Sequence, residues 1–379
     1  MMITAPKDVL LVIFDAFTNP ESFDWPNTIY EPNLAKAPFI LSSVCRNWRS
    51  LGRDTSSLWT YFGFESNPKK VLLDAHLDRL RILQTLSKDR PLDIVYHAYE
   101  HLKQSDGVQY DYGVQIATAL NDVAPRWRNV ALRLPHFLTS RMDTAMRGHF
   151  PTLETLSIAF YHSKVVLPSA PRLQRLYLVC AAPVMGHDDT IITRLPSLIS
   201  LGAYLNGSML RSLVPTGTSS TLRELCILET INESSKSSWL FPCLKSLTLN
   251  DAHFLRVIEA PNIEALTVNC GHILSVQHSV VSRFARTVQH LTIYSHVEPP
   301  LVHVLAMFSS IKSLSIDIPR LWSGPYPTLT SESNRSCSPS GLRWYRQCGP
   351  CLRGSGSTRP TISVDLECYY LNNGVPIPE

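Results

Sequence analysis

Little charge of one sign is left over in this chain. Against 35 Lys and Arg stand 31 Asp and Glu, a net charge of +4 over 379 residues, and no basic run breaks the mixture. Neutralising a phosphate backbone takes cations gathered on one face, so no nucleic acid partner is expected. Long apolar runs are missing as well. The longest near the N-terminus, Val9 to Phe14, lies between Asp8 and Asp15. It is too short and too acidic at its edges for a signal core, and no stretch approaches transmembrane length, so no membrane partner is expected either. The nine cysteines form no disulfide framework: their number is odd, and Cys180, Cys226 and Cys270 sit inside apolar words. They read as reduced, buried thiols of a cytoplasmic or nuclear protein. Also absent are a Gly-rich phosphate loop, paired carboxylates and a Ser/His/Asp constellation. His162, His187 and His290 lie in or near apolar words and read as loop or surface residues. A non-enzyme without a cofactor is expected.

One tetrapeptide invites an enzymatic reading, Cys348-Gly349-Pro350-Cys351. Thiol–disulfide exchange at this spacing needs a strand before the motif and a helix after it, whose dipole lowers the first thiol pKa. Arg353, Gly354, Ser355 and Gly356 follow instead and cannot make that helix. Cys337 and Cys368 would complete a four-thiol zinc set, but at loose spacings of 10 and 16 residues. Unrelated cysteines are the reading adopted, and no metal is expected.

What the chain has is a repeated apolar word: a Pro or small polar residue, a spacer, then L-x-x-L-x-[LIV]. Full copies run through Pro151, Leu153, Leu156 and Ile158; Pro171, Leu173, Leu176 and Leu178; Pro242, Leu244, Leu247 and Leu249; and Pro261, Ile263, Leu266 and Val268. Weaker copies start at Leu198, Leu222, Val288 and Ile311. Successive copies are 19 to 25 residues apart, the period of a leucine-rich repeat. L-x-L alternation puts two apolar side chains on one face of a short strand. A unit this small cannot bury that face alone, so neighbours stack. The fold class expected is α/β: an N-terminal helical module, then an irregular leucine-rich-repeat solenoid with a parallel sheet. Strands are expected near residues 94, 132, 157, 177, 202, 226, 248, 267, 292 and 315. After the strands, where regular repeats carry Asn or Cys, stand Tyr161, Ala181, Ala252 and Gly271. No side-chain ladder is therefore expected to cap those loops.

If L-x-L points inward, the residues between point outward: Thr155 and Ser157, Arg175 and Tyr177, Ser246 and Thr248, His290 and Thr292, Ser313 and Ser315. Such a hydroxyl-bearing, nearly uncharged face suits a protein segment, and Tyr177, Tyr204 and Tyr294 are its candidate target-binding anchors.

Residues 6 to 62 follow another pattern. Pro6 can start a helix, and Val9, Leu10, Ile13, Phe14 and Phe17 give it an apolar stripe. Pro20, Pro26, Pro32 and Pro38 predict a long loop over 18–38, because proline opposes a helix interior. Helical periodicity resumes through Phe39, Ile40, Val44, Trp48 and Leu51, and an aromatic knot follows at Leu58-Trp59 and Tyr61-Phe62. Ala5-Pro6-Lys7-Asp8-Val9-Leu10-Leu11-Val12-Ile13-Phe14 is similar to the opening L-P-x-E-[ILV]-[LI]-x-x-[IL]-F of the F-box. Val44-Cys45-Arg46-Asn47-Trp48-Arg49 is similar to that family's V-C-[KR]-x-W-[KR] word, and Leu58-Trp59 to its closing LW. The chain thus resembles the fungal F-box proteins with degenerate leucine-rich repeats, closely over about 55 residues and loosely to about residue 322. The resemblance implies that the module binds the Skp-type adaptor of a cullin–RING ubiquitin ligase. Pro6, Val9, Leu10, Ile13, Phe14, Val44, Cys45 and Trp48 are the implied adaptor-binding residues, and internal packing of the module is the alternative for each.

The organisation expected is a module at 1–64, a helix–strand region at 65–150, the solenoid at 151–323, and a disordered or poorly packed Ser-, Pro- and Gly-rich tail at 324–379. Two functions stay open: a substrate receptor of the ligase, holding adaptor and target protein, or an interaction scaffold whose module caps the solenoid. Ala5 in place of Leu and the long loop favour the scaffold; the intact V-C-R-x-W-R word favours the receptor.

Overall fold

The computed structural model describes residues 6–18, 32–66, 73–98, 107–134, 138, 148–160, 168–180, 195–204, 221–228, 238–269, 278–294, 308, 310–317, 345–346 and 361–365. The chain divides into two compact units, Met1–Pro215 and Thr216–Glu379.

The first unit opens with helices α1 (Lys7–Thr18), α2 (Pro32–Val44) and α3 (Arg46–Asp54) and a 3-10 turn at Ser56–Trp59. Then come β1 (Tyr61–Ser66), α4 (Leu73–Ser87), β2 (Leu92–Ala98), α5 (Gly107–Asp122), β3 (Trp127–Leu134), β4 (Thr155–Phe160), β5 (Arg175–Cys180) and β6 (Ser200–Tyr204). The six strands pair in parallel in chain order. The second unit carries β7 (Glu224–Ile227), β8 (Trp239–Leu240), β9 (Ser246–Leu249), β10 (Ile258–Glu259), β11 (Ala265–Asn269), α6 (His278–Ala285), β12 (His290–Tyr294) and β13 (Ser313–Asp317). Here β7, β9, β11, β12 and β13 pair in parallel in that order, and β8 pairs with β10 separately. The protein is therefore α/β with extensive parallel pairing, and all ten expected strand positions fall inside strands.

Each apolar word buries what its spacing predicts. Leu156, Ile158, Leu176, Leu178, Leu247, Leu249, Leu266 and Val268 are buried, as are the leading Leu153, Leu173, Leu244 and Ile263. The proline does more than enter a strand. It occupies the second position of a β-turn closed by the leading aliphatic: Leu153 N–H donates to Phe150 O, Leu173 to Ala170, Leu198 to Leu195, Leu244 to Phe241 and Ile263 to Ala260. Proline pre-sets the φ of that position. The residue before the proline is buried in every case, so the word is one residue longer than its sequence reading.

Side chains join successive copies at the strand entries, a different place from the loops after the strands. Thr152 Oγ1 donates to Trp127 O (2.9 Å), Ser197 Oγ to Pro171 O (2.8 Å), Asn262 Nδ2 to Pro242 O (2.8 Å) and Ser310 Oγ to Arg286 O (2.9 Å). Each polar side chain near the turn thus ties its copy to the one before. Thr152→Val is expected to cost about 1 kcal/mol, the net worth of one such bond, and Ser197→Ala, at an exposed site, less. Urea unfolding of the two variants checks the order.

Four departures from the sequence reading have physical causes. Tyr61-Phe62, expected to close the helical module, begins β1, because Tyr61, Phe62 and Phe64 suit a strand buried on both faces. Helix α2 starts at Pro32 and runs through Pro38, inside the predicted loop. Pro32 needs no helical N–H at the first position, and burial of Ala35, Ala37 and Leu41 offsets the bond lost at Pro38. The helix expected from Phe39 to Leu51 is two helices, broken at Cys45, which is extended at φ −157° and ψ 171°. Finally, the segment expected as a tail contributes β14 (Tyr345–Arg346) and β15 (Thr361–Asp365), antiparallel to each other, with β15 also antiparallel to β13.

Candidate functional site

Helix α1 is apolar on two adjacent stripes. Leu10, Phe14 and Thr18, four residues apart, are buried, while Val9 and Phe17 on the neighbouring stripe are 48% and 61% exposed and Val12 beside them is 70% exposed. Ile13, on the Val9–Phe17 stripe, is half-buried and Pro6 is exposed. Helix α2, packed against α1, repeats the arrangement: Ala37 and Leu41 are buried, whereas Ile40 and Val44 are 57% and 56% exposed. An isolated surface helix needs only one apolar stripe. Five of the seven large exposed apolar side chains among the described residues lie on these two helices.

The V-C-R-x-W-R word has local work of its own. Trp48 N–H donates to Cys45 Sγ (3.5 Å), so the thiol caps α3 in the place a Ser or Asp side chain usually takes. Trp48, half-buried, meets Phe14 edge to face at 5.1 Å. Arg49 Nε donates to Ser42 O (2.9 Å), tying the end of α2 to α3. Downstream, Trp59 is buried, donates Nε1 to Gly52 O (2.7 Å) and meets Phe39 edge to face at 5.3 Å.

Of the residues expected to touch an adaptor, Pro6, Val9, Val44 and Cys45 are exposed, Ile13 and Trp48 are half-buried, and Leu10 and Phe14 belong to the module's own core. The sequence reading left exposed Val12, Phe17 and Ile40 out of its adaptor-binding set, using Phe17 and Ile40 only as parts of a helical stripe. The available signal was the i, i+4 pairs Val9–Ile13 and Ile40–Val44, offset by one residue from the pairs that the core takes.

Of the expected target-binding tyrosines, Tyr177 is 8% exposed, its ring lying over Gly202 on the next strand. A Cβ at Gly202 would stand 2.2 Å from Tyr177 Cδ2, which is why no larger residue fits there. Tyr177 thus lies flat along the sheet instead of projecting from it. Tyr204 and Tyr294 close β6 and β12, and their side chains lie outside the described residues. In the second unit Cys226, Thr248, Thr267, Thr292 and Ser315 stand in register across five strands, all half-buried. His290 Nδ1 and Ser313 Oγ lie 2.8 Å apart on the same face. Burial pushes the Cys226 thiol up to about 11, so it stays protonated near neutral pH and is a poor nucleophile.

Among the described residues no group of three His, Cys, Asp or Glu is placed to hold a metal ion, and no helix is long and apolar enough to cross a membrane. Cys337, Cys348, Cys351 and Cys368 lie outside the described residues. No protein-family model matches this chain, and no curated protein matches it.

Proposed function

We propose that this protein is the substrate-recognition subunit of a cullin–RING (SCF-type) ubiquitin ligase. Its F-box-like N-terminal helices dock the Skp-type adaptor, and its leucine-rich-repeat strands offer a hydroxyl-bearing face to a target protein. The reading is carried by the second apolar stripe on α1 and α2, with Val9, Val12, Phe17, Ile40 and Val44 exposed. Removing such side chains from water is the main favourable term in association.

A scaffold without an adaptor is the second reading, and one observation favours it. Ala35 of α2 packs with Tyr61, Val95 and Ala131 on β1, β2 and β3, and β1 is the first unit's terminal strand in the pairing order. Helix α2 therefore covers a sheet surface near its edge, as a cap does.

The test is association of the full chain with a Skp-type adaptor, measured by calorimetry. Micromolar or tighter binding is expected. Pro6→Ala with Val9→Ser should weaken it about tenfold, the worth of one valine side chain removed from a buried contact, and leave the thermal melt unchanged because both side chains already face solvent. Absence of binding by the unmutated chain overturns the receptor reading in favour of the scaffold.

A further inference from the structure

A second surface of the N-terminal unit has a different chemistry. Between α2, α3 and α4 lies a groove of about 610 Å³, a size that takes a few side chains. Phe39, Trp59, Ile82 and Leu86 give it an apolar lining, and Arg49, Arg53 and Arg81 bring guanidinium groups to it. Ile82 is 41% exposed, one of only two large apolar side chains so exposed outside α1 and α2 among the described residues. An adjoining, smaller depression of about 260 Å³ shares Arg49 and Arg53 and adds Arg46, Ser50 and Asp54. Arg46, Arg49 and Arg53 follow at i, i+3 and i+7, so α3 presents them on one face. Asp78 pairs with Arg81 (3.1 Å), but both side chains are largely exposed and such a pair is readily exchanged. Four arginines thus stand against Asp54 and Asp78 in a chain whose overall charge is nearly balanced.

This surface is separate from the apolar stripe of the adaptor reading. At 3.6 residues per turn, Phe39, Ser42 and Ser43 lie about a third of a turn around α2 from Ile40 and Val44. Phe39 is held in place by Arg79, whose guanidinium lies 5.2 Å from its ring centroid and donates to Ala35 O (2.7 Å).

We infer that the groove between α2, α3 and α4 docks an acidic peptide segment of a partner protein, one that carries apolar anchors among its carboxylates. Guanidinium forks match carboxylates in two-point geometry, and the apolar lining takes the aliphatic side chains between them. Four arginines over an apolar floor make a short footprint, unlike the long basic stripe that tracks a nucleic acid backbone.

The probe is a fluorescein-labelled fourteen-residue peptide of glutamates with a leucine at every third or fourth position, titrated with the full chain and followed by anisotropy. Micromolar binding is expected, several-fold weaker at higher salt. Arg53→Glu with Arg81→Glu should weaken it at least tenfold, and Ile82→Ser several-fold, with the thermal melt unchanged in both. Equal binding of a peptide with glutamine for every glutamate, tighter binding of an oligouridine, or unaltered affinity of the double arginine variant would each overturn the inference. Adaptor association is measured on the unmutated chain as well: no adaptor binding with peptide binding intact sinks the receptor reading alone, and adaptor binding without peptide binding sinks the groove alone.

Discussion

Leu247→Ala is expected to destabilise the second unit by about 2–5 kcal/mol, and Leu176→Ala to do the same to the first. Both side chains are essentially inaccessible to solvent. Each stands in register between equivalent leucines of the neighbouring strands, Leu247 between Leu225 and Leu266, Leu176 between Leu156 and Leu201. A cavity there has aliphatic walls on two sides that are fixed by backbone pairing and cannot close in. Thr248→Ala and Ser157→Ala, at half-buried positions one residue further along the same strands or their neighbours, should be nearly neutral. Urea unfolding of the four variants checks the assignment of faces. Comparable losses at both pairs would show that the two faces are equally packed.

Arg128→Ala is expected to cost about 3 kcal/mol. Between β2 and β3 the register slips by one residue: Leu92 faces Trp127, but Asp93 faces Asn129, so Arg128 is extra. This bulge re-aims Arg128. Its Nε donates to Asp93 Oδ1 (2.9 Å), its Nη2 to Asp93 Oδ2, and Asn129 Nδ2 adds a bond to Oδ1 (2.8 Å). The shared hydrogen bond with Asp93 raises the Arg128 pKa against the opposing effect of burial. Asp93 has a side chain only 4% exposed, whereas that of Arg128 is 39% exposed. Removing the arginine strands a buried carboxylate, the costly direction; its partial exposure to water keeps the figure at the low end of the range for broken buried pairs. Asp93→Ala should cost less, because the released guanidinium can turn to solvent. Arg128→Lys should fall between, keeping the charge and losing the fork. Chemical unfolding of the three variants gives the order, and an Arg128→Ala variant as stable as the parent would show that the pair adds nothing.

Much of the strand framework was legible in the chain itself. L-x-x-L-x-[LIV] places a strand because its spacing is a local property, and a proline two residues before the leading aliphatic sets a turn whatever surrounds it. The extension of that word to Phe150, Ala170, Leu195, Phe241 and Ala260 was written there too, although a single buried residue before a proline has no periodicity to reveal it. The polar side chains near the turns were equally visible, but their acceptors are carbonyls 24 to 26 residues back, or 20 in the case of Asn262.

Other features required the folded molecule. Pro38 inside α2 contradicts local preference, and only the burial of Ala35, Ala37 and Leu41 accounts for it. Cys45 caps a helix because the chain turns there, a choice that the helical spacing from Phe39 to Leu51 conceals. The slip that sets Arg128 on Asp93 depends on two strands meeting across 35 residues. The candidate site divides in the same way. The sequence by itself made α1 and α2 apolar on more than one side, but it did not say which side the core would take. Tertiary packing buried Leu10, Phe14, Ala37 and Leu41 and left Val9, Phe17, Ile40 and Val44 in solvent, because a helix can turn only one apolar stripe toward a given core. That core is set by other elements: α2, Trp48 of α3 and the Ser56–Trp59 turn for α1, and α3 and β1 for α2.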